Sequence, residues 1–500
     1  MEESRKEEEQ AKKKINTFTT FPVQYSLEEI KYIISISTNA TREQSKEQII
    51  NQAFECHSKG NTSEAKKYYK YFINQGFKDH RVFSNYGAIL KDLGNLPEAD
   101  LYTRKAIDIK PNYAKAFSNL GNILRDLGNL QEAELSARKA IDIKPDLAEA
   151  HSTLGSILRD LGKLKEAELS LYKAIEINPE FSEAYFNLSL TELLKGNYKT
   201  GLDNYEYRFK ANKSVITHCN TKLKRIDNQK SQVGKKLLVI SEQGLGDTLQ
   251  FMRYIPYLRN QGHDISFCAQ EKLHSLIKAS GIDHHPLTPE QANQISEGAW
   301  IPLLSLLRYL QVNPINPIIS KPYISSTDEL IKKWKNILSK ERRPIIGINW
   351  QGNPNSEKTT LKGRSLPLET FSCITKKNNL KLLSLQKGFG SNQLEHCSFK
   401  NKFVDCQPEI NSTWDFLENA AIIQNCDLII TSDTSIAHLA GGMGKSTWMP
   451  LHQIPDWRWG LKGNTTFWYP SMRLFRQNER HNWKEVMERV SNQLNTKMYK

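Results

Sequence analysis

Between His80 and Phe181 the apolar and small residues return at an interval of 34 positions. Asn85-Tyr86-Gly87 is followed by Asn119-Leu120-Gly121, Thr153-Leu154-Gly155 and Asn187-Leu188-Ser189. Leu93-Gly94, Leu127-Gly128 and Leu161-Gly162 keep the same step, as do Ala99, Ala133 and Ala167, and Pro111, Pro145 and Pro179. The pattern predicts two antiparallel helices per unit. Gly87, Gly121 and Gly155 on the first helix and the alanine on the second let the pair approach closely, and the Leu-Gly step turns the chain. The proline is expected to start the next unit, where its missing N–H costs least. Units around Gly60 with Ala65 and around Gly196 with Gly201 repeat the pattern in degenerate form, as end units do.

After about residue 233 the rhythm becomes one of apolar runs alternating with amphipathic stretches, which predicts parallel α/β construction. Strands are expected at 236–241, 264–269, 344–350, 381–386, 427–431 and 447–451. Helices are expected at 248–260, 272–279, 328–338, 368–374, 414–424, 434–441 and 481–495. The stretch 303–310 fits either. Two consecutive open sheets of Rossmann type would turn their strand ends towards a shared cleft, where such sheets bind ligands. The domains expected are a charged tail and lead-in at 1–45, a helical superhelix at 46–215, a first Rossmann-like half at 233–325 and a second at 326–500.

Composition narrows the classes. The 500 residues are 38% hydrophobic and 25% charged, as in a soluble globular chain. No run reaches the length of a membrane span, and the opening Met1 to Lys14 lacks the apolar core of a signal peptide, so a cytoplasmic protein is expected, with at most peripheral membrane association. Seven cysteines without a C-x-x-C pair fit reduced thiols. The net charge of +14 is spread among acidic residues without a basic stripe carrying aromatics, which argues against nucleic acid.

Candidate chemistry falls at the expected strand ends. Ser241 to Gln250 follows the first strand. Gly244 and Gly246 permit a tight turn, and Asp247 opens the helix, where it can cap the backbone or act as a general base. In the second half, Trp350-Gln351-Gly352-Asn353-Pro354 follows a strand, with Lys358, Lys362 and Arg364 in the loop beyond. Gln386 and Lys387 end the next strand and could meet a base or ribose. Asp433, Thr434 and Ser435 deliver a helix N-terminus, which caps a packed helix or seats a phosphate. His438 lies one turn further on a similar face, as a packed residue or a ligand contact. Trp457, Arg458, Trp459, Trp468 and Tyr469 form an aromatic cluster suited to core packing or to the floor of a sugar or base pocket.

The repeats resemble the tetratricopeptide repeat, whose period is also 34 residues. Gly246-Asp247 with Leu249, Trp350 to Pro354 with Arg364 to Pro367, and Asp433 to Gly442 resemble family nine glycosyltransferases, the heptosyltransferase type. The helical array joined to a double Rossmann half is similar in architecture to the family forty-one O-linked N-acetylglucosamine transferases. The resemblance implies a GT-B fold, no metal and no cofactor, with a nucleotide-diphosphate sugar as co-substrate held mainly by the second half. It makes Asp247 the catalytic aspartate. Arg364 stands where a lysine contacts the donor diphosphate, and Thr434 and Ser435 match phosphate-holding positions. Gly244, Gly246, Trp350, Asn353, Gln386, Asp433 and His438 complete the candidate nucleotide-sugar site. The histidine of the N-acetylglucosamine enzymes has no clear counterpart. The implied reaction is inverting transfer to a hydroxyl of a protein, glycan or lipid, with the repeat groove recruiting a protein or peptide. A non-enzymatic adaptor with a relic transferase half, and a nucleotide-sugar epimerase or hydrolase, remain open alternatives.

Overall fold

A computed structural model describes residues 45–211, 215, 217–226, 234, 236–341, 344–357, 363–377 and 379–498. The charged lead-in before Ser45, and Lys358 and Lys362, lie outside the described residues.

Among the described residues ten helices in five hairpins form the repeat region: α1 (Lys46–Ser58), α2 (Thr62–Asn74), α3 (His80–Asp92), α4 (Leu96–Ile109), α5 (Ala114–Leu127), α6 (Leu130–Ile143), α7 (Ala148–Asp160), α8 (Leu164–Ile177), α9 (Ser182–Lys195) and α10 (Tyr198–Tyr205). In α5 the buried Ala116, Leu120, Ile123 and Leu124 make one apolar face, and in α6 Ala133, Ala137 and Ala140 make the other. The predicted close approach is visible at Gly155, where a Cβ would fall 2.5 Å from Leu171 Cγ and 3.1 Å from the Ala167 carbonyl oxygen. The recurring asparagines tie neighbouring units, Asn119 Nδ2 donating to Ser84 Oγ at 3.0 Å and Asn187 Nδ2 to Ser152 Oγ at 3.2 Å. The prolines differ from expectation. Pro111 and Pro145 each follow the C-cap of a second helix (Lys110, Lys144), so they stop that helix rather than start the next.

Two wholly parallel sheets follow. The first contains β1 (Lys224–Arg225), β2 (Lys236–Ile240), β3 (Asp264–Cys268) and β4 (Ala299–Pro302) in the order β1-β4-β2-β3. The second contains β5 (Ile345–Asn349), β6 (Lys381–Ser384), β7 (Leu428–Thr431), β8 (Thr447–Leu451) and β9 (Met472–Arg476) in the order β6-β5-β7-β8-β9. This is an N-terminal helical repeat region followed by a double Rossmann-like arrangement. The helix expected at 248–260 is two, α11 (Leu245–Phe251) and α12 (Tyr254–Asn260). The second half carries α13 (Asp328–Leu338), α14 (Phe416–Gln424), α15 (Ser435–Gly442) and α16 (Trp483–Met498). The ambiguous 303–310 stretch is a short 3₁₀ turn followed by the helix Leu306–Tyr309.

One continuous core runs from Leu193, Tyr198 and Leu202 of the last hairpin through the first sheet to Ala437, Leu439 and Met449 of the second. A separate core fills the far face of the second sheet beneath α16, around Ile346, Ile348, Phe371 and Val486. The repeat region is therefore packed on the sheets. Arg208, just past α10, is fully buried and grips Glu242, at the end of β2, through two nitrogens at 2.8 and 2.9 Å. Tyr198 and Tyr205 set their rings edge-on to Trp457.

Candidate functional site

Two helix N-termini face each other where the sheets meet. Strand β2 runs into the turn Ser241 to Gly244 and then α11, while β7 runs through Ser432 and Asp433 into α15. Gly246 is the point of closest approach, since a Cβ there would lie 3.0 Å from the His438 ring and 3.6 Å from Ser435 Cα. A Cβ at position 246 would crowd the His438 ring, and a larger side chain would press the two halves apart.

Asp247 performs the capping role directly, one carboxylate oxygen accepting the Gly244 N–H at 3.0 Å. Its other oxygen accepts from Arg458 Nη2. Burial pushes the Asp247 pKa up, and Arg458 opposes that shift. Arg458 is the hub of the cluster. Its Nη1 lies 2.8 Å from Asp456 and its Nε donates to Gln250 Oε1 at 2.9 Å. Gln250 Nε2 is buried without a partner. Trp468 Nε1 donates to the Arg458 carbonyl at 2.9 Å, so the aromatic cluster is both core packing and the support of this arginine. Arg253 adds a second clamp between the halves, donating to the Trp468 carbonyl at 2.8 Å and the Ile319 carbonyl at 3.1 Å.

On the opposite side Asp433 is 7% exposed, and burial raises its pKa to about 6. Asp456 adds to that rise, while Arg364 and Arg458 work against it. Arg364 Nη1 donates to the Asp433 carbonyl at 3.1 Å and its Nε lies 3.5 Å from Glu357. It reaches there because position 352 is glycine: a Cβ on Gly352 would fall 2.5 Å from Arg364 Nη2. Asn353 is exposed and accepts from the Asn355 N–H at 2.9 Å, capping a single helical turn. Thr434 is the N-cap residue of α15, yet its hydroxyl donates backwards to Asn349 Oδ1 at 2.9 Å, leaving the first turn without a side-chain cap. Ser435 is half-buried at the start of that turn. His438 is buried, bonded through Nδ1 to the Tyr469 hydroxyl at 3.0 Å and stacked on Trp459, and burial drives its pKa well down, so the ring is neutral.

Gly244, Gly246, Asp247, Arg364, Asp433, Thr434, Ser435 and His438 thus gather around one seam. Two expected contacts are placed differently. The Trp350 indole is fully buried in the core beneath α16, facing away from the seam. Gln386 spends its whole amide on the end of β5, the loop after it and the Phe389 carbonyl. Its Oε1 accepts from Asn349, Trp350 and Gln351, and its Nε2 donates to the Gln351 and Phe389 carbonyls. It shapes that loop and has no donor or acceptor left for a base or ribose. Lys387 likewise turns to the Ile410 carbonyl, and burial lowers its pKa to about 8. Asn349, Gln250 and Arg458 hold the site together without having been singled out for that role.

Among the described residues no three or more His, Cys, Asp or Glu side chains are grouped to hold a metal, and no helix is long and apolar enough to cross a membrane.

The Tetratricopeptide repeat profile matches residues 80–113, 114–147 and 148–181, the three central hairpins. No curated protein matches the chain. Among solved structures, a thermophilic tetratricopeptide repeat protein of Thermus thermophilus is 17% identical with a TM-score of 0.31, covering 34% of this chain and 92% of that one. A tetratricopeptide repeat protein of Parabacteroides merdae is 21% identical with a TM-score of 0.27, over 34% of this chain and 67% of that one. YrrB, described as a tetratricopeptide repeat protein with an unusual peptide-binding site, is 20% identical with a TM-score of 0.26, over 36% of this chain and 91% of that one.

Proposed function

We propose that the double-sheet half is a glycosyltransferase that moves a sugar from a nucleotide-diphosphate donor to an acceptor hydroxyl with inversion, and that the repeats recruit the acceptor or a partner protein. One observation carries the reading: Asp247 and the uncapped N-terminus of α15 oppose each other across the Gly246 seam, with Arg364 and Arg458 beside them. Asp247 takes the acceptor proton as the new glycosidic bond forms, and the bond from the anomeric carbon to the diphosphate breaks on the opposite side. Burial strengthens this carboxylate as a base, and the Gly244 N–H and Arg458 hold it in orientation. The charge growing on the diphosphate is met by the first-turn amides of α15, by the positive end of its dipole and by Arg364.

A specific observation favours the competing adaptor reading. Gln386 is fully engaged within the protein and Asp247 is already paired with Arg458, as in a half that has become purely structural. Donor binding separates the two. A thermal-shift panel of nucleotide sugars should yield one that stabilises the full chain, by about 2.7 kcal/mol at a hundred times its dissociation constant. Asp247→Asn should then bind that donor normally but turn it over more than about tenfold more slowly, roughly 1.4 kcal/mol of barrier. A silent panel backed by calorimetry without heat leaves the adaptor, and an Asp247→Asn enzyme within tenfold of wild type removes the base.

A further inference from the structure

Three leucines of the repeat region occupy one unit position and stand in solvent. Leu101 on α4, Leu135 on α6 and Leu169 on α8 are 34 residues apart and are 49%, 68% and 69% exposed. The step before is Lys67 on α2 and the step after is Asp203 on α10, so the apolar row begins and ends with the three central units. Among the described residues no packing accounts for it, and an exposed apolar row at a structural period marks a contact surface.

The charges around the row are also periodic. On the N-terminal side of each leucine, three residues back, stand the exposed Glu98, Glu132 and Glu166. On the C-terminal side, four residues on, stand the exposed Lys105, Lys139 and Lys173, with Arg104 and Arg138 beside them. These residues share the leucine face by helical spacing. Arg104 reaches Glu132 at 2.7 Å and Arg138 reaches Glu166 at 3.3 Å, so α4, α6 and α8 lie side by side and the rows are continuous across them. The surface is an acidic row, a leucine row and a basic row running in parallel. Complementing the helix dipoles explains the first-turn glutamates but neither the leucines nor the basic row, which lies short of the last turn.

We infer that this face is a homodimer interface, with a second copy of the chain related by a twofold axis lying along the leucine row. That axis sets each helix antiparallel to its own counterpart. Leucine meets leucine, and the acidic row of each copy meets the basic row of the other. A twofold axis along the helices would set acid against acid, so the charge order selects the first arrangement. Three helices of about 21 Å side by side at about 10 Å offer roughly 600 Å² per copy, near the lower bound for a specific interface.

The test is the mass of the full chain by light scattering and sedimentation over a concentration series. Wild type should dimerise at tens of micromolar, and L101Q/L135Q/L169Q should be monomeric with an unchanged circular dichroism spectrum and a melt close to wild type, because these side chains are 49%, 68% and 69% exposed. Two charge variants test the axis: E98K/E132K/E166K, and R104E/K105E/R138E/K139E/K173E. Each should be monomeric alone, and the two should pair when mixed. A monomeric wild type, a leucine variant that still dimerises, or charge variants that self-associate as well as wild type would each overturn the proposal.

Discussion

Arg458 links three side chains that lie far apart in the sequence or differ in role: the Asp247 carboxylate, the Gln250 amide and the neighbouring Asp456. Asp247 stands out in the sequence because it follows a Gly-x-Gly turn at a strand end, whereas its partner is 211 residues away and sits among aromatics that read as core. Side-chain direction was the other obstacle. Trp350 and Gln386 lie one and two residues beyond β5 and β6, where the alternation of strand faces has just ended, and both turn inward. Asp433 carries a pH signature. Its folded pKa, about 6, lies above the ordinary carboxylate value, so the protonated group contributes stability in full below that ordinary range and loses it as pH rises through about 6. Asp433→Asn, uncharged at every pH, should therefore melt above wild type at neutral pH, by about 3 kcal/mol, and match it near about pH 4. Thermal melts across that range check this, and a gap that stays constant with pH would contradict the raised pKa. At the seam, Gly246→Val should weaken the docking of α11 on α15 by about 1–3 kcal/mol through overpacking, read from denaturant midpoints.

Among elements, the helix pairs were the most legible, because a 34-residue interval repeated over several units leaves little freedom in register. Three strands were not predicted, for physical reasons. β1 is only two residues long, β4 is four residues and ends in Pro302, and β9, at the sheet edge with one partner, β8, has its apolar residues interrupted by Arg473 and Arg476. Short runs and edge strands lack the continuous apolar stretch that marks a buried parallel strand. The helix pairs also give a sharp test of close approach. Gly155→Ala adds one methyl group where Leu171 and the Ala167 carbonyl already stand, so it should cost about 1–3 kcal/mol in chemical denaturation despite the better helix propensity of alanine. A neutral or stabilising result would mean that α7 and α8 separate at little cost.

At the scale of the whole molecule, the order of helical array and double sheet follows from the change in hydrophobic rhythm near residue 233, but their mutual packing does not. It depends on Arg208 and Glu242, both without exposure, and on the rings that surround Trp457. Removing the Glu242 charge leaves the buried Arg208 paired with Glu206 at 2.9 Å, so Glu242→Gln should destabilise the chain by about 1–3 kcal/mol. Calorimetry should show the helical array and the sheets unfolding in separate steps in that variant, where wild type unfolds them together. A single unshifted transition would mean that the aromatic contacts alone couple them. With Trp457 held between Tyr198 and Tyr205, the solenoid is not an arm swinging on a tether. It keeps a fixed bearing from the seam, so the distance from the far hairpins to Gly246 is set by the fold itself.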